Sequence, residues 1–329
     1  MGLFSKSLGI DLGTVNTRIY KEGSGIILSE PSVVALDRLD GKILAVGTEA
    51  NEMIGRTPDS IVAVRPVKDG VIADFDITRA MLRNFISESN AGGILKPRAL
   101  FAIPCGITEV EKRAVEEAAI TAGAKSVSFV EKPLASAVGA GIDIYGAKGN
   151  MVVDIGGGTC EAAVVSLGGI VSSRSVRIAG DALDSSIINY VKKELGINIG
   201  DRMAEEVKTA VGNAFDDGTV KSFTVRGRDV SSGLPKQAEI TYAQAREAMH
   251  DNICEIIDAV KITLEHTPPE LASDVMENGI TVTGGSANIR GLCAFIKSQI
   301  GIKAEIAGNA LDCVVLGTGA MLGKISKKK

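Results

Sequence analysis

The sequence predicts an α/β protein built from two related halves, and three observations carry that reading. Two Asp-Gly turns, Asp11-Leu12-Gly13-Thr14 and Asp154-Ile155-Gly156-Gly157-Gly158-Thr159, each lie between short apolar strands. The order strand, glycine turn, strand, turn, strand occurs around both, 143 residues apart. Capped amphipathic helices alternate with strands in each half, the pattern of α/β domains rather than of a sandwich or a bundle.

Composition sets the outer bounds. At 329 residues the chain has room for two domains of ordinary size. A hydrophobic share of 45%, a charged share of 23% and a net charge of −4 describe a folded globular chain, not a disordered one. Mild acidity argues against nucleic acid as a generic partner, since phosphate backbones need a basic face. Five cysteines (Cys105, Cys160, Cys254, Cys293 and Cys313) form no Cys-x-x-Cys pair, and there are two histidines. That pattern reads as reduced thiols in a cytosolic protein, with neither a disulfide framework nor a His/Cys metal site. No secretory signal is visible, and no stretch approaches the roughly 18 apolar residues that span a bilayer.

The elements follow in order. Leu8-Gly9-Ile10 leads into the first turn, Thr17-Arg18-Ile19-Tyr20 leaves it, and Gly25-Ile26-Ile27-Leu28 completes a hairpin. In the second half Met151-Val152-Val153 enters the turn, Ala162-Ala163-Val164-Val165-Ser166 leaves it, and Gly169-Ile170-Val171 follows a glycine pair. A repeat of this size predicts two homologous domains facing each other. Thr108 and Glu111 form a capping box ahead of Val110, Ala114, Val115 and Ala118, with Gly123 as the stop. Thr241 and Gln244 cap a second helix carrying Ala248, Ile253, Ile256, Ile257, Val260 and Leu264, which Pro268-Pro269 ends. Segments 33–74 and 180–240 break the alternation and read as smaller subdomains inserted at the rims.

The glycine turns carry the chemistry. A turn without Cβ atoms lets backbone N–H groups approach phosphate oxygens. The candidate cradle is Gly13, Thr14, Val15 and Asn16 with Gly156, Gly157, Gly158 and Thr159. Asp11 and Asp154 are too close to phosphate to bind it directly, so their expected role is to hold Mg²⁺ or its water shell. One such turn is an ordinary hairpin more often than a site. Two turns with the same leading Asp and the same trailing Thr favour the functional reading. A third run, Gly284-Gly285-Ser286, follows an apolar strand and precedes a predicted helix, which suits a nucleoside or its α-phosphate. Gly317-Thr318-Gly319-Ala320 reads as helix packing without a ligand. Glu205 and Lys208 share one helix face and are placed to flank an adenine or ribose, the alternative being a solvated pair. Two apolar features, Leu3-Phe4 and Ile94-Leu95, suit a membrane surface, with a local apolar contact slightly favoured on the residues alone. The basic end Lys324-Ile325-Ser326-Lys327-Lys328-Lys329 reads as a solvated tail able to help at an anionic surface.

Longer stretches sharpen this. They are Ile10-Asp11-Leu12-Gly13-Thr14-Val15-Asn16-Thr17, Glu30-Pro31-Ser32-Val33-Val34-Ala35 and Arg65-Pro66-Val67-Lys68-Asp69-Gly70-Val71-Ile72-Ala73-Asp74. Further on come Gly106-Ile107-Thr108-Glu109-Val110-Glu111-Lys112-Arg113, Arg177-Ile178-Ala179-Gly180-Asp181 and Thr267-Pro268-Pro269-Glu270-Leu271-Ala272-Ser273-Asp274. With the order of the glycine turns, they resemble the MreB family of bacterial actins over nearly the whole chain. The resemblance implies an actin-like (ribonuclease H-like duplicated) α/β fold, two domains each split into two subdomains around a central nucleotide cleft. Subdomain IA is then 1–32 with 75–145 and 320–329, IB is 33–74, IIA is 146–179 with 241–319, and IIB is 180–240. It also implies ATP with Mg²⁺ in the cleft and a homopolymer of paired antiparallel protofilaments. The expected place is the cytoplasm, at the inner face of the plasma membrane, with morphogenesis and cell-wall synthesis proteins as partners and a role in cell shape. In that family the loop matching Ile94 and Leu95 touches the membrane, which strengthens the membrane reading.

Three departures from the family pattern matter. Glu131-Lys132-Pro133 stands for Glu-Glu-Pro, Thr159-Cys160 for Thr-Thr, and Gly284-Gly285-Ser286 for three glycines. The resemblance gives the second Glu and Thr159 the task of positioning the attacking water. An ammonium has donors only and cannot accept a hydrogen bond from that water. Lys132 is expected to reach toward the γ-phosphate or a neighbouring carboxylate such as Glu131. The other possibility, Lys132 in solvent with Glu131 substituting, runs against strand alternation. Water-orienting groups contribute roughly 10²–10⁴-fold, so the expectation is ATP binding with slow hydrolysis. Ser286 is expected to matter least of the three, provided its backbone dihedrals stay within ordinary limits. A small-molecule kinase and a chaperone-type ATPase of the same superfamily remain the alternatives; the altered Lys132 weakens the first, and the second needs a further domain after Lys329.

Overall fold

β1 (Ser7–Leu12) is buried along all six residues and forms the centre of the first of two five-stranded sheets. The computed structural model describes residues 7–90 and 95–325, which divide into two units. One comprises Met1–Ala147, Val165–Ile170 and Gly308–Lys329; the other comprises Lys148–Val164 and Val171–Ala307.

In the first unit β2 (Asn16–Lys21) and β3 (Gly25–Pro31) follow β1 as antiparallel hairpins. The chain then makes an excursion through β4 (Val34–Asp37), β5 (Ile43–Val46), α1 (Thr48–Met53) and β6 (Ile61–Val64). These form a three-stranded sheet of order β5-β4-β6 with its own small cluster of Val33, Ala35, Ala45 and Ala50. A short ribbon of β7 (Val67–Lys68) and β8 (Val71–Ile72) leads into α2 (Phe75–Ser89). β9 (Arg98–Ile103), α3 (Glu109–Ala122), β10 (Ser126–Glu131) and α4 (Lys132–Gly139) follow. β9 and β10 add to β1 in parallel, giving the order β10-β9-β1-β2-β3. Strands covered on both faces are apolar without alternation, and β9 is buried from Ala99 to Ile103. Met81, Leu82 and Phe85 of α2 and Val115, Ala118 and Ala119 of α3 close the core over Ile10 and Phe101. The capping box expected at α3 forms: Glu111 N donates to Thr108 Oγ1 at 3.2 Å, and Thr108 N donates to Glu111 Oε2 at 2.8 Å.

The second unit repeats the plan. β11 (Asn150–Ile155), β12 (Cys160–Ser166) and β13 (Gly169–Val176) are followed by α5 (Gly180–Tyr190), which runs on as a π-helical turn over Val191–Leu195. β14 (Ile197–Asn198), α6 (Asp201–Val211), β15 (Ser222–Asp229) and β16 (Pro235–Thr241) make a rim with a three-stranded sheet. Then come α7 (Tyr242–Glu265), α8 (Pro269–Asn278), β17 (Ile280–Thr283), α9 (Leu292–Ile300) and β18 (Ala304–Ile306). The large sheet has the order β13-β12-β11-β17-β18, with β11, β17 and β18 parallel. Read from its outer hairpin strand, the first sheet has the same sequence of connections. The duplication is therefore one of topology. The Thr241–Gln244 capping box of α7 also forms. Pro268-Pro269 does more than stop that helix: Pro269 opens α8, where its missing N–H is not needed.

α10 (Cys313–Ile325) returns to the first unit. The units divide at Gly308, ahead of this helix. The reason is packing between α10 and α4. A Cβ on Gly139 would stand 1.8 Å from the Cys313 carbonyl oxygen, and one on Gly317 would stand 1.8 Å from that of Ala135. The Gly317-Thr318-Gly319 run is therefore helix packing, as its sequence implied. Among the described residues no helix is long and apolar enough to cross a membrane.

Candidate functional site

The first Asp-Gly turn is closed by Gly13 N donating to the Asn16 carbonyl at 3.1 Å. A Cβ at Gly13 would lie 2.4 Å from that same oxygen, so the position admits only glycine without a shift of backbone. Ser32 braces the turn from behind: its Oγ donates to Gly13 O at 2.7 Å and its N to Val15 O at 2.8 Å. Thr14 is buried, and its Oγ1 accepts from Gly70 N at 3.2 Å. Asp69 and Gly70 both take left-handed backbone, φ 51° and 77°. Ser32 and the Asp69-Gly70 pair escaped the sequence reading as site residues. Their only signals there are a polar residue after Pro31 and an Asp-Gly dipeptide.

Asp11, at the end of β1, is 8% exposed and Lys132, the first residue of α4, is 7% exposed. Lys132 Nζ lies 3.3 Å from Asp11 Oδ1, an oxygen that is buried and accepts no hydrogen bond. Glu131, the last residue of β10, is exposed. Lys132 is expected to reach the γ-phosphate or a neighbouring carboxylate such as Glu131; the carboxylate it meets is Asp11. The start of α4 turns Lys132 inward and leaves Glu131 outside, so Glu131 does not take the place of the missing family Glu.

The second turn repeats the closure. Gly156 N donates to the Thr159 carbonyl at 2.9 Å, the same bond that joins Gly13 to Asn16. Counting from the leading Asp, Thr159 therefore corresponds to Asn16. The shared trailing Thr read from sequence is corrected: Thr14 has Gly157 as its counterpart. Asp154 is buried, and its Oδ1 accepts from Thr283 Oγ1 at 2.8 Å, the residue paired with it across β11 and β17. The carbonyl of Gly156 accepts from Gly180 N at 3.2 Å and from Ser286 Oγ at 2.9 Å, and that of Gly157 accepts from Asp181 N at 2.8 Å. The turn is thus pinned by the start of α5 and by the third glycine run. Ser286 has no left-handed backbone, the condition under which its substitution for glycine is expected to matter least, and its hydroxyl ties the third glycine run to the second turn. The third glycine run passes through a single 3-10 turn, Gly285–Asn288, before the helix expected after it, α9, begins at Leu292.

Glu205 and Lys208 lie on α6, with Glu205 exposed. Lys208 is not solvated: its Nζ meets Asp184 Oδ2 at 2.6 Å and donates to Gly180 O at 3.2 Å. It therefore stands at the turn that pins Gly156. Burial pushes the Asp184 carboxyl up to about 6, against the pull of the Lys208 charge.

Among the described residues no group of three or more His, Cys, Asp or Glu side chains converges as a metal cage. The residues instead fit an ion held largely through water and phosphate, as Mg²⁺ is. Asp11 brings a buried carboxylate oxygen without a hydrogen bond, and Gly13 a turn with no room for a side chain. Of the membrane candidates, Leu3, Phe4 and Ile94 lie outside the described residues, and Leu95 is 45% exposed.

The MreB/Mbl protein family matches residues 5–329. The chain is 47% identical over 326 residues to the cell shape-determining protein Mbl of Bacillus subtilis, covering 99% of this chain and 98% of that protein. The crystal structure of MreB5 of Spiroplasma citri bound to ADP is similar at a TM-score of 0.94 and 37% identity, over 99% of this chain and 98% of that one. Its AMPPNP-bound form gives 0.94 and 38%, over 98% and 97%. Both halves, their shared strand order and all three glycine turns fall inside these matches, and the chain belongs to the MreB/Mbl family, with its actin-like fold.

Proposed function

We propose that this chain is an ATP-binding, bacterial actin-like filament protein that takes part in determining cell shape and hydrolyses its nucleotide slowly. The observation that supports it most is the repeated turn: Gly13 and Gly156 make the same closing bond behind a buried Asp. A relative 37% identical over nearly the whole chain binds ADP, and the same protein binds AMPPNP. In this reading the residues 13–16, 156–159 and 284–286 cradle the nucleotide, Glu205 and Lys208 flank its base or ribose, and Asp11 and Asp154 hold Mg²⁺ through water. Bound Mg²⁺ neutralises charge on the phosphates. The four-subdomain division, self-assembly into paired antiparallel protofilaments and placement at the inner membrane face belong to the same proposal. So do Leu3, Phe4, Ile94 and Leu95 as its membrane contacts, and morphogenesis and cell-wall synthesis proteins as partners.

Slow hydrolysis follows from Lys132. Thr159 is retained to orient water, but the second acceptor is replaced by an ammonium that offers only donors and is engaged with Asp11. Lys132→Glu is expected to raise phosphate release by at least about tenfold, the lower end of what such groups contribute. Unchanged turnover in that variant, or wild-type turnover equal to that of a Glu-Glu-Pro relative, defeats the slow-hydrolysis reading. Sedimentation with ATP, with and without anionic liposomes, tests the filament: no polymer in either case defeats it.

A further inference from the structure

We infer that Thr283 is a positioning residue: by donating to Asp154 it holds that carboxylate ionised and in one orientation, ready to accept from the water shell of Mg²⁺. The inference rests on the nucleotide-binding reading and adds to it the residue that sets Asp154. Thr283 Oγ1 donates to Asp154 Oδ1 at 2.8 Å, and both residues are buried. They stand opposite each other in the parallel pair of β11 and β17. An ionised carboxylate only accepts, so the hydroxyl supplies the proton. A hydrogen bond to a charged acceptor is roughly twice as strong as one between neutral groups.

The support is itself rigid. Thr283 ends β17, is fully buried, and its branched Cβ restricts rotation about χ1. The next residue, Gly284, has φ 86° and packs so closely that a Cβ there would run into the Ile155 carbonyl. Ser286 then donates to the Gly156 carbonyl at 2.9 Å. The third glycine run therefore lies along the second turn from Asp154 to Gly156, and Thr283 is where that seam meets the carboxylate. An aspartate without an anchor spreads over several orientations, whereas a water shared with a metal needs its acceptor in one place. Groups that orient a metal-holding side chain typically change metal affinity by about 10–100-fold. Stability alone is the competing role, since a buried carboxylate oxygen needs a donor in any case. A purely structural bond affects nucleotide affinity equally with and without metal. A positioning bond affects the gain in affinity that the metal brings.

The experiment is equilibrium calorimetry of ATP binding to the full chain, in excess Mg²⁺ and in excess EDTA, with the ratio of the two affinities as the readout. Thr283→Val keeps the shape and removes the donor. It is expected to lower the ratio by about tenfold or more, with binding in EDTA within about twofold of wild type. Thr283→Ser keeps the hydroxyl and is expected to hold the ratio within about threefold of wild type. On an Asp154→Ala background, Thr283→Val is expected to change the ratio by less than about twofold. Circular dichroism establishes that each variant is folded, and Thr283→Ala replaces the valine variant if that one is not. A wild-type ratio in Thr283→Val, an equal loss in both solutions, or Thr283→Ser as poor as Thr283→Val each overturns the inference and leaves the nucleotide-binding reading intact. A further large drop on the Asp154→Ala background, or a wild type that gains nothing from Mg²⁺, overturns it too. Absence of wild-type binding in both solutions overturns the nucleotide-binding reading itself.

Discussion

Lys208 Nζ and Asp184 Oδ2 lie 2.6 Å apart, and both side chains are 14% exposed, so α6 is locked to α5 by a largely buried ion pair at the turn carrying Gly180. The other carboxylate oxygen, Asp184 Oδ1, is buried without a hydrogen bond. Burial raises the Asp184 carboxyl from the usual 3.8 to about 6, Lys208 lowers it, and the charges of Glu205 and Asp181 add to the rise. The folded state therefore holds this proton more tightly than the unfolded chain. The favourable contribution is complete below about pH 4 and is lost as the pH rises through about 6. The wild type should lose up to roughly 3 kcal/mol relative to Asp184→Asn across that window, and nothing further above it. Urea unfolding of both proteins at several pH values reads the difference; parallel curves would refute the assignment.

Cys160 stands directly after Thr159 at the start of β12 and is fully buried. Burial pushes its thiol well up, and the charges of Glu161 and Asp154 push the same way. The thiolate is the reactive species, so Cys160 is inert in the folded chain. Cys313 is also buried, while Cys105, Cys254 and Cys293 are partly exposed. Native protein treated with an aromatic disulfide reagent should therefore titrate three thiols, and the denatured chain all five. Modification of Cys160 in the native protein, seen by peptide mass mapping, contradicts this.

The sequence was most informative where a local rule acts alone. Both capping boxes and the strand-turn-strand repeat depend on neighbours within a few positions, and each is found as read. What escaped depends on residues far apart in the chain. The Asp11–Lys132 pair joins positions on β1 and α4, which nothing local to either residue announces. Helix spacing pairs Lys208 with Glu205 on its own helix, whereas Asp184 on α5 holds it. The alignment of Thr159 with Thr14 failed for a related reason: residue identity suggested it, and the closing hydrogen bond assigns Asn16 instead. The Ser286 hydroxyl bond to Gly156 likewise joins residues far apart in the chain.

Two glycines of α10 separate packing from propensity within one helix. Gly317 lies against α4, where a Cβ would stand 1.8 Å from the Ala135 carbonyl oxygen and 2.6 Å from its carbon. Those are backbone atoms within a helix, so relief requires α4 and α10 to move apart. α4 opens with Lys132, so the displacement reaches the ion pair at Asp11. Gly317→Ala should cost about 3 kcal/mol, the upper part of the range for overpacking. Gly323 has nothing within 4 Å of its hypothetical Cβ. Gly323→Ala should therefore stabilise, by up to about 1 kcal/mol, through the better helix propensity of alanine. Thermal and urea unfolding of the two variants distinguish the cases, because opposite signs are expected from the same substitution two turns apart. Equal effects would mean that α10 is not held against α4 at Gly317, and the close crossing would have to be abandoned.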